Sequence, residues 1–307
     1  MSSKIKAWLK AFRLRTLPLA IATILLGNAL AYFDLNQSGE QSFSLTILLL
    51  AILTTLLLQI LSNLANDYGD SQKGADNENR IGPQRAIQSG SISPNAMKNG
   101  MIVCAVLAFI SGITLIWLAT ADTNRLAFFG FLLLGMAAII AALKYTVGKG
   151  AYGYMGLGDI FVFIFFGWVG VLGCYWLQTH QFSVLACLPA SAIGLLSVGV
   201  LNLNNMRDID NDAAVGKRTI VVKMGSSKAK KYHYFLLIGA MVLSCIYSFS
   251  IFNFYSEWLW LITLPLIGAQ IRKVAAIQQP QEFDPLLKQL ALTTTLWALL
   301  MSIGVVL

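Results

Sequence analysis

Charge is scarce in this 307-residue chain. Only 12% of the residues are charged, against roughly 25% in a typical soluble domain, while 57% are hydrophobic and the mean hydropathy is +0.68. So little charge cannot coat a soluble globule of this length, and a polytopic membrane protein is expected. Cysteine and histidine are also sparse. The four cysteines, Cys104, Cys174, Cys187 and Cys245, lie in apolar runs without paired spacing. They read as small buried hydrophobes, with neither a disulfide framework nor a metal role expected. His180 and His233 stand at expected helix ends without a partner pattern and read as interfacial residues. No P-loop, GxGxxG, zinc spacing or Ser-x-Gly nucleophile pattern is found. The stretch Met1 to Arg15 is basic and amphipathic, and no small-residue cleavage pattern follows the first apolar run, so no removed leader is expected.

Apolar runs are what the chain has in abundance. Nine of membrane-spanning length can be marked, at about 17–33, 46–66, 98–120, 125–143, 158–177, 183–204, 232–252, 257–272 and 290–307, the eighth being short. Pro189 and Pro265 fall inside expected helices, where neighbours in lipid can satisfy the freed backbone. With the N-terminus placed in the cytoplasm, 21 of the 22 lysines and arginines fall on the cytoplasmic side, and Arg125 alone falls outside. That is the asymmetry of the positive-inside rule, and it accounts for the net charge of +8 without nucleic acid. A missed helix would swap every later loop and destroy the pattern.

Two acidic clusters then face the cytoplasm. Asn66, Asp67 and Asp70 follow the second apolar run, with Lys73, Asp76, Arg80 and Arg85 behind them. Asn205 and Asp208 follow the sixth run, with Asp212, Lys217 and Arg218 behind them. A charge costs roughly 2.5–3.5 kcal/mol at the centre of a spanning helix, so carboxylates at two helix ends need a reason. Spacings of three (Asp67, Asp70) and four (Asp208, Asp212) put each pair on one helix face, within reach of a shared ion. Hard oxygen ligands suit Mg²⁺ completed by phosphate oxygens and water, and Asn66 and Asn205 could add neutral oxygens. Arginine grips phosphate with a two-pronged fork and lysine acts as a point charge, which favours phosphate contact for Arg80, Arg85, Lys217 and Arg218, with Lys73 and Arg207 as further candidates. The competing reading makes the acids solvated loop charges and the cations plain topology signals.

A third loop joins the fourth and fifth runs. Its glycines permit close backbone approach, and Tyr145, Tyr152 and Tyr154 could stack on an aromatic substrate or shield a cation. Asp159 could accept a hydroxyl proton or cap the next helix. Each tyrosine alone would equally suit the membrane interface.

These residues resemble the UbiA superfamily of intramembrane aromatic prenyltransferases, over nearly the whole chain. The likeness is closest to its menaquinone branch, the 1,4-dihydroxy-2-naphthoate polyprenyltransferases. Three stretches carry it: Asn66-Asp67-Tyr68-x-Asp70-x-x-Lys73-Gly74-x-Asp76, Tyr152-Gly153-Tyr154-x-Gly156-Leu157-Gly158-Asp159, and Asn204-Asn205-x-Arg207-Asp208-x-x-x-Asp212-x-x-x-Gly216-Lys217-Arg218-Thr219. Gly74 stands where the superfamily's third acid usually comes, and Asp76 replaces it; a Tyr-x-x-x-Lys pattern common on the fourth helix elsewhere is not evident. The resemblance implies an all-α, nine-helix bundle around a cavity open to the cytoplasm, formed by residues 1–307 as one domain. That domain would carry a basic interfacial segment at 1–16 and Asp-rich loops at 67–97 and 205–231. It implies two Mg²⁺ ions held by Asp67, Asp70, Asp76, Asp208 and Asp212. It also implies Mg-dependent transfer of a polyprenyl chain from polyprenyl diphosphate to 1,4-dihydroxy-2-naphthoate, with decarboxylation, giving demethylmenaquinol in a bacterial inner membrane. Rival readings are another acceptor (4-hydroxybenzoate, homogentisate, a porphyrin or haem), a cation-coupled transporter, and a non-catalytic quinone-binding scaffold. A transporter should place its ionisable groups near mid-membrane, and here they gather at one face.

Overall fold

The computed structural model describes residues 3–39, 43–78, 80–121, 125–252 and 254–307; Met1 and Ser2 of the basic first segment lie outside that range. Helices form where the apolar runs stand, and among the described residues there is no strand. In chain order they are α1 (Ser3–Ala11), α2 (Leu17–Ser38), α3 (Leu45–Gln72), α4 (Pro94–Thr120), α5 (Arg125–Lys144) and α6 (Gly158–Val162). A π-helical stretch, Phe163–Leu172, runs straight into α7 (Gly173–Thr179). There follow α8 (Cys187–Arg207), α9 (Ile209–Ala214), α10 (Ile220–Met224), α11 (Ser226–Ser250), a 3-10 stretch at Tyr255–Thr263, α12 (Leu264–Ala276) and α13 (Phe283–Val306). Among the described residues nine rods are long and apolar enough to cross a bilayer, as expected; Gly158–Thr179 and Tyr255–Ala276 are among those built from more than one helical element.

Local signals set the ends. The Ser44 hydroxyl accepts from the Ile47 amide at the start of α3, and Ser93 caps α4 by accepting from Ala96, with Pro94 at the first position. Gly39, at φ 74°, closes α2 in the left-handed conformation that a side chain would resist. The prolines expected within helices instead sit in first turns, where the backbone N–H has no helical partner to lose. Pro189 is the third residue of α8, and Pro265 is the second of α12, where the short eighth run changes from 3-10 to α geometry.

The Asp-rich loops are more helical than expected. α3 continues to Gln72, so Asp67 and Asp70 ride on its last turns, and the stretch 205–231 contains the end of α8, all of α9 and α10, and the start of α11. Hydropathy marks where the side chains turn polar, whereas the backbone ladder continues into the polar layer. His233 also departs from expectation: it is fully buried in α11, while His180 is exposed at the end of α7.

The central core joins α2, α8, α11 and α13 through Leu26, Leu196, Leu203, Leu237 and Trp297. A second cluster packs Leu61 and Leu64 of α3 on Met97 and Met101 of α4. Around the outside, side chains such as Phe129, Leu133 and Ile140 of α5 are 58–63% exposed, a surface only lipid can cover. In α2, Gly27 lets the helix touch the π-helical stretch: a Cβ there would run into the Val171 carbonyl. Gly27→Ala is therefore expected to cost about 1–3 kcal/mol. Gly130→Ala, where a Cβ meets nothing within 4 Å, should not. Thermal unfolding in detergent micelles separates the two.

Candidate active site

The first arm is the end of α3 and the turn after it. Asp67 accepts from the Ala86 amide at 3.0 Å and the Ile87 amide at 3.4 Å, which folds the 80–92 segment back against the helix. Asp70 accepts from the Tyr154 hydroxyl at 2.8 Å and faces the Arg85 guanidinium at 3.4 Å. Asp76 sits between Arg80 Nε at 3.3 Å and Arg85 Nε at 3.5 Å. Burial, and then the charge of Asp70, push the Asp76 carboxyl up to about 7, against the pull of Arg80. Asn66 turns away from the cluster, and its side-chain oxygen accepts from Thr146 at 3.3 Å.

The second arm is the break between α8 and α9. Arg207, 1% exposed, donates to both oxygens of Asp208 (2.9 and 2.7 Å), to Asn204 at 3.0 Å and to Asp284 at the foot of α13 at 2.6 Å. Lys217 meets Asp212 at 3.3 Å. Burial pushes Asp212 up to about 6 despite that lysine. Burial would lower the Lys217 ammonium, but Asp70 and Asp212 outweigh it and hold the group above its usual range.

The third loop clasps the arms together. Tyr154 puts its hydroxyl on Asp70 of the first arm, and its ring lies under Lys73 (4.0 Å to the centroid) and Lys217 of the second (5.5 Å). Its carbonyl accepts from the Arg218 amide at 3.1 Å. Lys73 donates to the Thr146 carbonyl at 2.7 Å, the Thr146 hydroxyl donates to the Ala65 carbonyl at 2.8 Å, and Lys223 donates to the Met155 carbonyl at 2.7 Å. The arms also touch directly, Asn211 donating to the Ala75 carbonyl at 2.9 Å. Deeper in the bundle, Tyr145 stands edge-on to Tyr152, which stacks on Phe161 at 3.9 Å. The Tyr152 hydroxyl is engaged by the Ala141 carbonyl at 2.8 Å. Burial and the neighbouring carboxylates push Tyr145 up to about 12.

Most of the expected residues thus converge. Arg218 does not: its side chain is exposed, and only its amide takes part in the clasp. Several participants carry no motif signal. Arg13, half-buried at a left-handed turn (φ 50°) between α1 and α2, lies within electrostatic reach of Asp67, Asp70 and Asp76. Thr146, Asp284 and Tyr232 are lone residues, and Tyr232 lies within electrostatic reach of Asp159.

The donor set fits magnesium. Both Asp76 oxygens, Asp212 Oδ2, Asn205 Oδ1 and Asn211 Oδ1 are buried without a hydrogen bond, and all are hard oxygen donors. Among the described residues no three His, Cys, Asp or Glu side chains form a ready cage.

The profile of the UbiA prenyltransferase family matches residues 20–285. The chain belongs to this family. It is 45% identical to the 1,4-dihydroxy-2-naphthoate octaprenyltransferase of Escherichia coli over 305 residues, covering 99% of this chain and 96% of that protein. It is 44% identical to the enzyme of the same name from Haemophilus influenzae, covering 99% and 97%. Among solved structures, a UbiA homologue from Aeropyrum pernix superposes with a TM-score of 0.66 at 16% identity, covering 95% of this chain and 96% of that one. A UbiA homologue from Archaeoglobus fulgidus bound to DMAPP and Mg²⁺ gives 0.58 at 16% identity, covering 98% and 99%. At these identities the solved structures establish the fold alone, while the family match and the nine apolar helices among the described residues mark an integral membrane protein.

Tyr154→Phe is expected to cost about 1–3 kcal/mol, because Asp70 loses its hydroxyl donor while the ring stays under the two lysines. Tyr154→Leu should cost more. Unfolding of the two variants in detergent tests the clasp, and stability equal to wild type in both would mean it holds nothing.

Proposed function

We propose that this UbiA-family protein transfers a polyprenyl chain from polyprenyl diphosphate to 1,4-dihydroxy-2-naphthoate, with loss of carbon dioxide, giving demethylmenaquinol and diphosphate. The observation that carries the reading is the meeting of two acid-and-base arms under one tyrosine, in a chain 45% identical to an enzyme named for this acceptor. The donor is taken to be octaprenyl, after the names of both relatives.

Asp67, Asp70 and Asp76 on one arm and Asp208 and Asp212 on the other would hold two Mg²⁺ ions, with Asn205 as a neutral oxygen. Magnesium bound there supplies Lewis-acid stabilisation of the negative charge that develops on the leaving diphosphate. Lys217, Arg85 and Arg80 add fixed positive charge at the same place, each already aimed by a carboxylate, so little reorganisation is needed as the C–O bond breaks. Lys73 and Tyr154 close the head of the site. Tyr145 and Tyr152 form an aromatic wall that excludes water from the allylic cation and offers a face to the naphthoate ring. Asn66 positions Thr146 and through it the third loop. Arg218 serves through its backbone. The gathering of 21 of 22 basic residues on one side supports a cytoplasmic orientation of the charged end, and the bacterial relatives support an inner membrane.

Purified protein given dihydroxynaphthoate, a mixed set of isoprenyl diphosphates and Mg²⁺ should yield the decarboxylated prenyl product by mass spectrometry, with the octaprenyl donor preferred. Asp212→Asn should lower turnover at least about 10²-fold, and chelation should stop the reaction until Mg²⁺ is restored. Turnover of 4-hydroxybenzoate in place of the naphthoate would move the protein to another branch. Full activity under chelation would remove the metal.

A further inference from the structure

Asp159 is a buried carboxylate of this region that neither arm uses. It is the second residue of α6 and only 5% exposed, and its Oδ2 has no hydrogen-bond partner. Tyr232, near the start of α11, lies beside it, within electrostatic reach of the carboxylate. The neighbouring Gly158 backs onto Tyr145: a Cβ there would lie 3.2 Å from the ring and 3.3 Å from the hydroxyl. Tyr145 in turn lies within electrostatic reach of Lys217, Asp159, Asp70 and Asp212. Asp159 therefore stands beside the tyrosine wall, at the Tyr145 end of it. The titratable groups that face it are Tyr145 from the third loop and Tyr232 from α11.

The reaction proposed above needs a group in that place. The ring carbon bearing the carboxylate attacks the allylic carbon, a C–C bond forms, and the allylic C–O pair leaves with the diphosphate. The ring can remain neutral only if the adjacent hydroxyl becomes a carbonyl, which sends its proton to a base. Carbon dioxide then departs, its C–C electron pair returns to the ring, and the oxygen must regain a proton. Summed, aryl carboxylate and prenyl diphosphate give prenyl arene, carbon dioxide and diphosphate, and the base ends unchanged. Such a group must be shielded from water, lie off the metal ligands, and offer a free oxygen toward the acceptor.

We propose that Asp159, oriented by Tyr232, is this proton store: it takes the acceptor's hydroxyl proton as the new bond forms and returns it as carbon dioxide leaves. The assignment rests on the naphthoate reading. Asp159 is thus the catalytic group and Tyr232, beside it, a positioning residue.

The test uses full-length protein in detergent, dihydroxynaphthoate labelled in its carboxyl carbon, and an isoprenyl diphosphate that the wild type consumes. Prenyl product, labelled carbon dioxide, diphosphate release and donor KM are followed together. Asp159→Asn should lower product kcat about 10²-fold or more, with donor KM within about threefold. Diphosphate release should then outrun product, since the allylic cation forms and is lost to water. Tyr232→Phe should lower kcat about tenfold with the same KM pattern. Product formation within threefold of wild type in Asp159→Asn overturns the proposal, as does a matching loss of donor affinity in both variants. If Asp159→Asn does not fold, Tyr232→Phe decides alone: unchanged kcat overturns, reduced kcat at unchanged donor KM supports. A wild type inert toward the naphthoate refutes the functional reading instead, so the two failures are distinguishable.

Discussion

One tyrosine holds the charged end of the bundle together. Tyr154 gives its hydroxyl to the first arm, its ring to a lysine from each arm, and its carbonyl to the second. Without that bridge two groups of carboxylates would stand at the ends of separate helices, each repelling the other. With it, cations are interleaved between them: Arg85 between Asp70 and Asp76, and Lys217 beside Asp212. A buried ion pair seldom adds stability over an apolar alternative, but removing one member leaves an uncompensated charge at a cost of roughly 3–5 kcal/mol. The arrangement is therefore interlocked. It resembles a surface built to receive polyanions and divalent cations more than a device for stability.

The apolar bundle makes this possible by keeping strain and polarity apart. Its centre, from Leu26 to Trp297, is filled by apolar side chains. Its circumference is left to lipid. Polar groups concentrate where helices leave the hydrocarbon, and there the backbone ladder persists a turn or more past the last apolar side chain, as α3 does to Gln72. Carboxylates on a rigid helix are better positioned than carboxylates on a loop.

Much of this was legible in the residues. Nine apolar runs, a one-sided distribution of lysine and arginine, and two acid clusters spaced for one helix face gave the architecture and the acid-bearing ends. The remainder was hidden for physical reasons. Arg13 has the same sequence context as the other basic residues of its segment, and only the turn at φ 50° carries it inward. Asp284, with Glu282 just before it, matches no motif ahead of the last apolar run, and its partnership with Arg207 spans 77 positions. His233 is followed by an apolar run and so resembles an interface residue, yet α8 and α13 enclose it. Arg218 adjoins a lysine that points inward, and consecutive residues at a helix start face different ways.

The site draws on both extremities of the chain. Arg13 comes from the first turn-forming segment, and Asp284, which braces Arg207 and through it Asp208, comes from the foot of the final span. During biosynthesis Arg207 has only Asp208 and Asn204 to hold it until Asp284 has been made and has reached the bundle. The charged centre is thus completed by a segment synthesised 77 positions after the arginine it braces.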